Sequence, residues 1–103
     1  MPDAEHSVCA LSDIPPGEGR LFEVAGKQIA VFHMRSGEVY ATQAECPHRG
    51  GPLADGLTGG TSLVCPLHDR TFDLKTGQGI GNDQCLTVYP ARVADGGKIV
   101  VLA

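Results

Sequence analysis

The chain has 103 residues, 42% of them hydrophobic, and a formal net charge of −4 at pH 7, which fits one small globular domain. No apolar run approaches the length of a membrane span, and the start, Met1-Pro2-Asp3-Ala4-Glu5-His6, lacks the basic and apolar regions of an export signal, so a cytoplasmic location is expected. Its charges are spread without blocks of like sign, which argues against nucleic acid as a partner because phosphate binding needs clustered Lys and Arg.

Fourteen glycines and seven prolines interrupt any helical periodicity. The expectation is an all-β chain of about nine short strands with little or no regular helix. Ser7-Val8-Cys9-Ala10 reads as the first strand and Leu11 to Gly19 as a turn-rich connection, in which Pro15 and Pro16 exclude ladder pairing. Leu21 to Val24 follows, Ala25-Gly26 turns the chain, and Lys27 to Met34 returns. In that strand Ile29, Val31 and His33 share one face and Ala30, Phe32 and Met34 the other, so both faces are expected to be partly buried.

Arg35-Ser36-Gly37-Glu38 is a hairpin signal, after which Val39 to Ala44 runs into Cys46-Pro47-His48-Arg49-Gly50. Leu53 to Gly60 reads as a turn region and Thr61 to Val64 as a strand delivering Cys65-Pro66-Leu67-His68-Asp69. Thr71 to Leu74 leaves as a strand and Lys75 to Gly79 turns. Leu86 to Tyr89 is expected to pair with Lys98 to Leu102 across a loop from Pro90 to Gly97.

Cys46-x-His48 and Cys65-x-x-His68 together form a metal-ligand pattern, because thiolate and neutral imidazole hold iron and zinc readily. Zinc fingers group both cysteines before both histidines. Here each box brings one of each, an order that suits a two-iron cluster with the cysteines on one iron and the histidines on the other. A structural zinc site, which would make the chain a non-redox binding module, stays open as the alternative.

The boxes resemble those of the Rieske [2Fe-2S] family. The likeness runs from Cys46 to Gly56 and from Cys65 to Asp73, with Thr76-Gly77 behind. Family members usually carry Gly, Leu and Gly at the places of Gly50, Leu53 and Gly56, and an aromatic-Asp pair at that of Phe72-Asp73. The resemblance implies one [2Fe-2S] cluster per chain, held by Cys46, His48, Cys65 and His68, with the outer ring nitrogens of His48 and His68 as an electron exit. It implies a single Rieske domain over 1–103: an antiparallel β-sandwich base (1–44 and 81–103), bringing the termini together in one sheet system, and an inserted cluster-binding subdomain (45–80).

Electron transfer without catalysis by the chain alone is expected, since an oxygenase iron takes two histidines and a carboxylate and only His6 and His33 remain. Over its length the chain is similar to the small subunit of assimilatory NAD(P)H nitrite reductase. It is also similar to the Rieske ferredoxins that pass electrons from a flavoprotein reductase to aromatic-ring dioxygenases. Both likenesses imply redox protein partners, a nitrite reductase large subunit in one case and a reductase donor with an oxygenase acceptor in the other.

High-potential respiratory members add a cysteine to each loop and join the two in a disulfide, where this chain has Gly51 and Leu67. Those members also aim serine and tyrosine hydroxyls at the cluster sulfurs, at places matching Arg70 and Phe72. Lacking both, the chain is expected at the low end of the family range, about −150 to 0 mV. Leu67 and Phe72 are expected to shield the cluster, and Pro47 and Pro66 to fix the loop shape. Arg49 and Arg70 read equally as partner-orienting charges or as solvated loop arginines. Cys9 and Cys85 read as small buried hydrophobes, His6 as part of a polar tail and His33 as a strand histidine.

Overall fold

The computed structural model describes residues 4–45, 52–65, 71–81 and 84–103. Among them lie eleven strands, two single-turn 3₁₀ segments (Leu11–Asp13 and Leu53–Asp55) and no α-helix, so the all-β expectation holds. No helix among the described residues is long and apolar enough to cross a membrane.

The strands are β1 (Glu5–Ala10), β2 (Glu18–Val24), β3 (Lys27–His33), β4 (Val39–Gln43), β5 (Leu57–Gly59), β6 (Ser62–Val64), β7 (Thr71–Asp73), β8 (Gly79–Ile80), β9 (Val88–Tyr89), β10 (Ala91–Ala94) and β11 (Lys98–Leu102). They form three antiparallel sheets in the orders β1-β11-β10, β2-β3-β4-β9 and β5-β6-β7-β8. The first and last strands pair directly, from Glu5↔Leu102 to Ala10↔Lys98, with a bulge between Ser7 and Cys9.

Strand β3 explains how the sheets assemble. Side chains alternate across a strand, so one strand can feed two cores. Ala30 and Phe32 point into a cluster with Leu63 and Phe72 of the β5–β8 sheet. Ile29 and Val31 point the opposite way, into a cluster with Ile99 and Val101 of β11. Strand β3 is thus apolar on both faces, as the unbroken Ile29-Ala30-Val31-Phe32 run requires. Gly19 of β2 keeps that packing close, because a Cβ there would meet the Phe32 ring.

Tight turns set the register. The two-residue Ala25-Gly26 connection has φ of 53° and 79°, the primed-turn geometry that matches strand twist, and Val24 pairs with Lys27 across it. Between β3 and β4, Gly37 at φ 94° donates its N–H to the Met34 carbonyl at 2.9 Å.

Several elements differ from the expectation. Leu57–Gly59, read as turn, is a strand, and Thr58 Oγ1 donates to the Gly17 carbonyl at 2.8 Å. The run ending at Tyr89 does not pair with Lys98–Leu102. β9 joins β4 through Ala41↔Tyr89, and β11 pairs with β10, from Ala91↔Val101 to Ala94↔Lys98, as well as with β1. Pro90, with no N–H to donate, separates β9 from β10. His6 is not in a tail but in β1 opposite Val101, since a polar edge strand pairs through its backbone whatever its side chains are. Cys85 is exposed rather than buried: its neighbour Leu86 takes the inward position. Cys9 is half-buried against the Ile99–Val101 core.

Candidate metal centre

The two boxes leave from a common base. Strand β4 delivers the chain to Ala44 and Glu45; Glu45 then bridges to Pro52, and the Leu53 N–H donates to the Ala44 carbonyl at 3.0 Å. These contacts close the segment 46–51 at its root. The second box begins where β6 ends, and β6 pairs antiparallel with β7 up to Val64↔Thr71. Cys46, His48 and His68 lie outside the described residues, as do Pro47, Arg49, Gly50, Gly51, Pro66, Leu67 and Arg70. Of the four expected ligands the structure places Cys65, immediately after β6 and fully buried.

Leu53, in the second half of the first box, and Cys65, which opens the second, belong to one apolar cluster that also contains Phe32, Phe72 and Leu86. Leu53 and Cys65 are therefore packed into one core. Gly56 shows why a box glycine is needed, because a Cβ there would run into the Val64 carbonyl next to Cys65. Gly77, at φ 80°, likewise lies where a Cβ would strike the Leu86 carbonyl, and the Leu86 N–H donates to the Gly77 carbonyl at 2.6 Å.

This surrounding fits an iron–sulfur ligand. The Cys65 thiol has no disulfide partner among the described residues and sits among side chains that exclude water. Phe72 is fully buried in the same cluster and carries no hydroxyl. Tyr40, which packs against that cluster, directs its hydroxyl elsewhere, donating to Glu38 Oε2 at 3.1 Å. Burial first, then the Glu38 bond and charge, push the Tyr40 phenol above its ordinary range.

Residues 6–102 match the family model for the Rieske-like [2Fe-2S] domain. The chain belongs to the Rieske-like [2Fe-2S] domain family. It is similar to the ferredoxin component of a naphthalene 1,2-dioxygenase/salicylate 5-hydroxylase system from a Ralstonia species, at 35% identity over 81% of each chain. Among solved structures, it superposes on one assigned as an NADH-dependent nitrite reductase small subunit from Mycobacterium tuberculosis. The TM-score is 0.92 and the identity 27%, over 98% of this chain and 96% of that one. The ferredoxin of carbazole 1,9a-dioxygenase from Nocardioides aromaticivorans IC177 gives 0.84 at 28% identity, over 95% and 96%. This Rieske domain shares its all-β architecture with both solved proteins.

The remaining histidines are placed by the strands. His33 is buried, and its Nδ1–H donates to the Ile14 carbonyl at 2.6 Å, which makes it a structural tie between β3 and the segment before β2. Two residues that shape the site's base carry no functional signal in the sequence. Leu86 reads simply as the start of the Leu86 to Tyr89 strand and Gln43 as a polar residue at a strand end, and neither side chain carries a metal-ligand signal.

Proposed function

We propose that this Rieske chain is the electron-carrying small subunit of an assimilatory NAD(P)H nitrite reductase, with one [2Fe-2S] cluster held by Cys46, His48, Cys65 and His68. The observation that carries the electron-carrier reading is the shared core of Leu53 and Cys65, which roots both ligand boxes in one water-excluding cluster. Bound there, the cluster supplies reversible storage of one electron. Leu53 and Phe72 keep solvent from the Cys65 sulfur, and neither offers it a hydroxyl hydrogen bond. That environment supports a potential near the low end of the Rieske range, about −150 to 0 mV.

In this reading, residues 45–80 form the cluster-binding subdomain, supported by the separate β5-β6-β7-β8 sheet. Residues 1–44 and 81–103 form the base, the whole makes one domain over 1–103, and a cytoplasmic location accompanies it. The nitrite reductase assignment is supported by the backbone agreement with the mycobacterial small subunit. A second reading, a ferredoxin serving an aromatic-ring dioxygenase, is favoured by the higher sequence identity to the Ralstonia component. Affinity capture from the native host separates them. Recovery of a sirohaem reductase subunit supports the first; a flavoprotein reductase together with an oxygenase overturns it and supports the second.

A further inference from the structure

Gln43 ends strand β4, two residues before the last described residue ahead of Cys46. Its backbone N–H donates to the Thr87 carbonyl at 2.9 Å, and its side-chain Oε1 accepts the Thr87 N–H at 2.8 Å. Both backbone groups of Thr87 are thereby taken by this one residue. The other end of the amide, Nε2, donates to the Glu45 carbonyl at 2.7 Å. Only one amide orientation serves both contacts, since the reverse would set oxygen against the Glu45 carbonyl and NH2 against the Thr87 N–H.

The two anchors lead to different parts of the site. Glu45 adjoins Cys46, and Thr87 adjoins Leu86, which packs in the same cluster as Cys65 and Leu53. The Gln43 amide therefore spans from the entry of the first box to the segment that backs the second. Backbone contacts close the exit of the first box, at Leu53 and Pro52. At its entry, the Gln43 side chain ties the Glu45 carbonyl to the 86–87 segment.

We infer that Gln43 is a positioning residue for the cluster: its side-chain amide sets where the first ligand box begins relative to the core that holds Cys65. This rests on the proposed ligand set. A glutamate in its place keeps the length and the acceptor for Thr87 but loses the donor to Glu45, whereas an alanine loses both. A glutamine of the same central sheet gives a matched control. Gln28 Nε2 contacts Glu23 Oε2 at 3.4 Å on the exposed side of the β2–β3 hairpin.

The test uses holoprotein with Gln43→Glu, Gln43→Ala and Gln28→Ala, followed by bleaching of the visible spectrum under a chelator, midpoint potential, and amide exchange at Thr87. Both Gln43 variants are expected to bleach about fivefold faster or more, the factor for one lost hydrogen bond, and to show a shifted potential, with Gln28→Ala matching wild type. Thr87 exchange should accelerate in Gln43→Ala. Wild-type bleaching and potential in Gln43→Glu, or unchanged Thr87 exchange in Gln43→Ala, would overturn the inference. Should the alanine variant fail to fold, Gln43→Glu alone decides. A colourless wild-type protein would instead refute the ligand set.

Discussion

Leu53 and Cys65 are both fully buried in the same apolar cluster, one in the second half of the first Cys/His box and the other at the head of the second. With the proposed ligand set, stability and cluster retention are expected to be coupled through this shared packing. Leu53→Ala should lower the unfolding free energy of the holoprotein by about 2–5 kcal/mol, the usual cost of a buried leucine truncation, and should hasten cluster loss. Leu57→Ala, at a side chain 74% exposed, should change it by less than about 0.5 kcal/mol. Urea titrations of the two variants that coincide would refute the coupling.

Phe72 lies in that cluster without a hydroxyl. Phe72→Tyr adds a donor beside the Cys65 region, and a hydrogen bond to a cluster sulfur stabilises the negative charge gained on reduction. The midpoint potential should rise, on the order of 50 mV for one such bond. A redox titration in which the variant is unchanged or lower counts against Phe72 lying next to the cluster.

Two glycines separate backbone strain from steric conflict. Gly37 has φ 94° with open space where a Cβ would be, while Gly77 has φ 80° and faces the Leu86 carbonyl. Gly37→Ala should cost about 1–2 kcal/mol from the left-handed conformation alone. Gly77→Ala should cost more, because Leu86 must move out of the core. Thermal melts run side by side give the order, and an equal loss in both would contradict the close approach at Gly77.

Alkaline pH should destabilise the fold. Burial, reinforced by Asp13, raises the Cys9 thiol above its ordinary 9.0, and burial with Glu38 raises Tyr40 above 10.0. In the unfolded chain both groups ionise at their ordinary values while the folded protein still holds the protons. The unfolded state then binds fewer protons, so stability falls as pH rises through that window. Cys9→Ala should flatten the fall from about pH 9 and Tyr40→Phe from about pH 10. Urea midpoints measured from pH 8 to 11 test this, and variants that track wild type throughout would contradict it.

Much of this was legible in the sequence because it depends on local chemistry. Glycine and proline punctuation gave the all-β class, alternation gave the two buried faces of β3, and the paired Cys/His boxes gave the family. What was not legible depends on long-range pairing. Leu57–Gly59 has the look of a turn until it pairs with Ser62–Val64, and Val88–Tyr89 could have joined either sheet until Pro90 is seen to divide β9 from β10. The outward turn of Cys85 follows from Leu86 occupying the core, which spacing alone did not reveal. Cys65 is buried at the end of β6; Cys46, His48 and His68 lie outside the described residues.

The central claim is that Cys46, His48, Cys65 and His68 hold a [2Fe-2S] cluster, one per chain. Metal and acid-labile sulfide analysis of the purified protein, paired with low-temperature electron paramagnetic resonance after reduction, tests it most directly. The account predicts a brown protein with about two irons and two sulfides per chain and an axial signal on reduction. A colourless protein with one zinc per chain and no signal would contradict it.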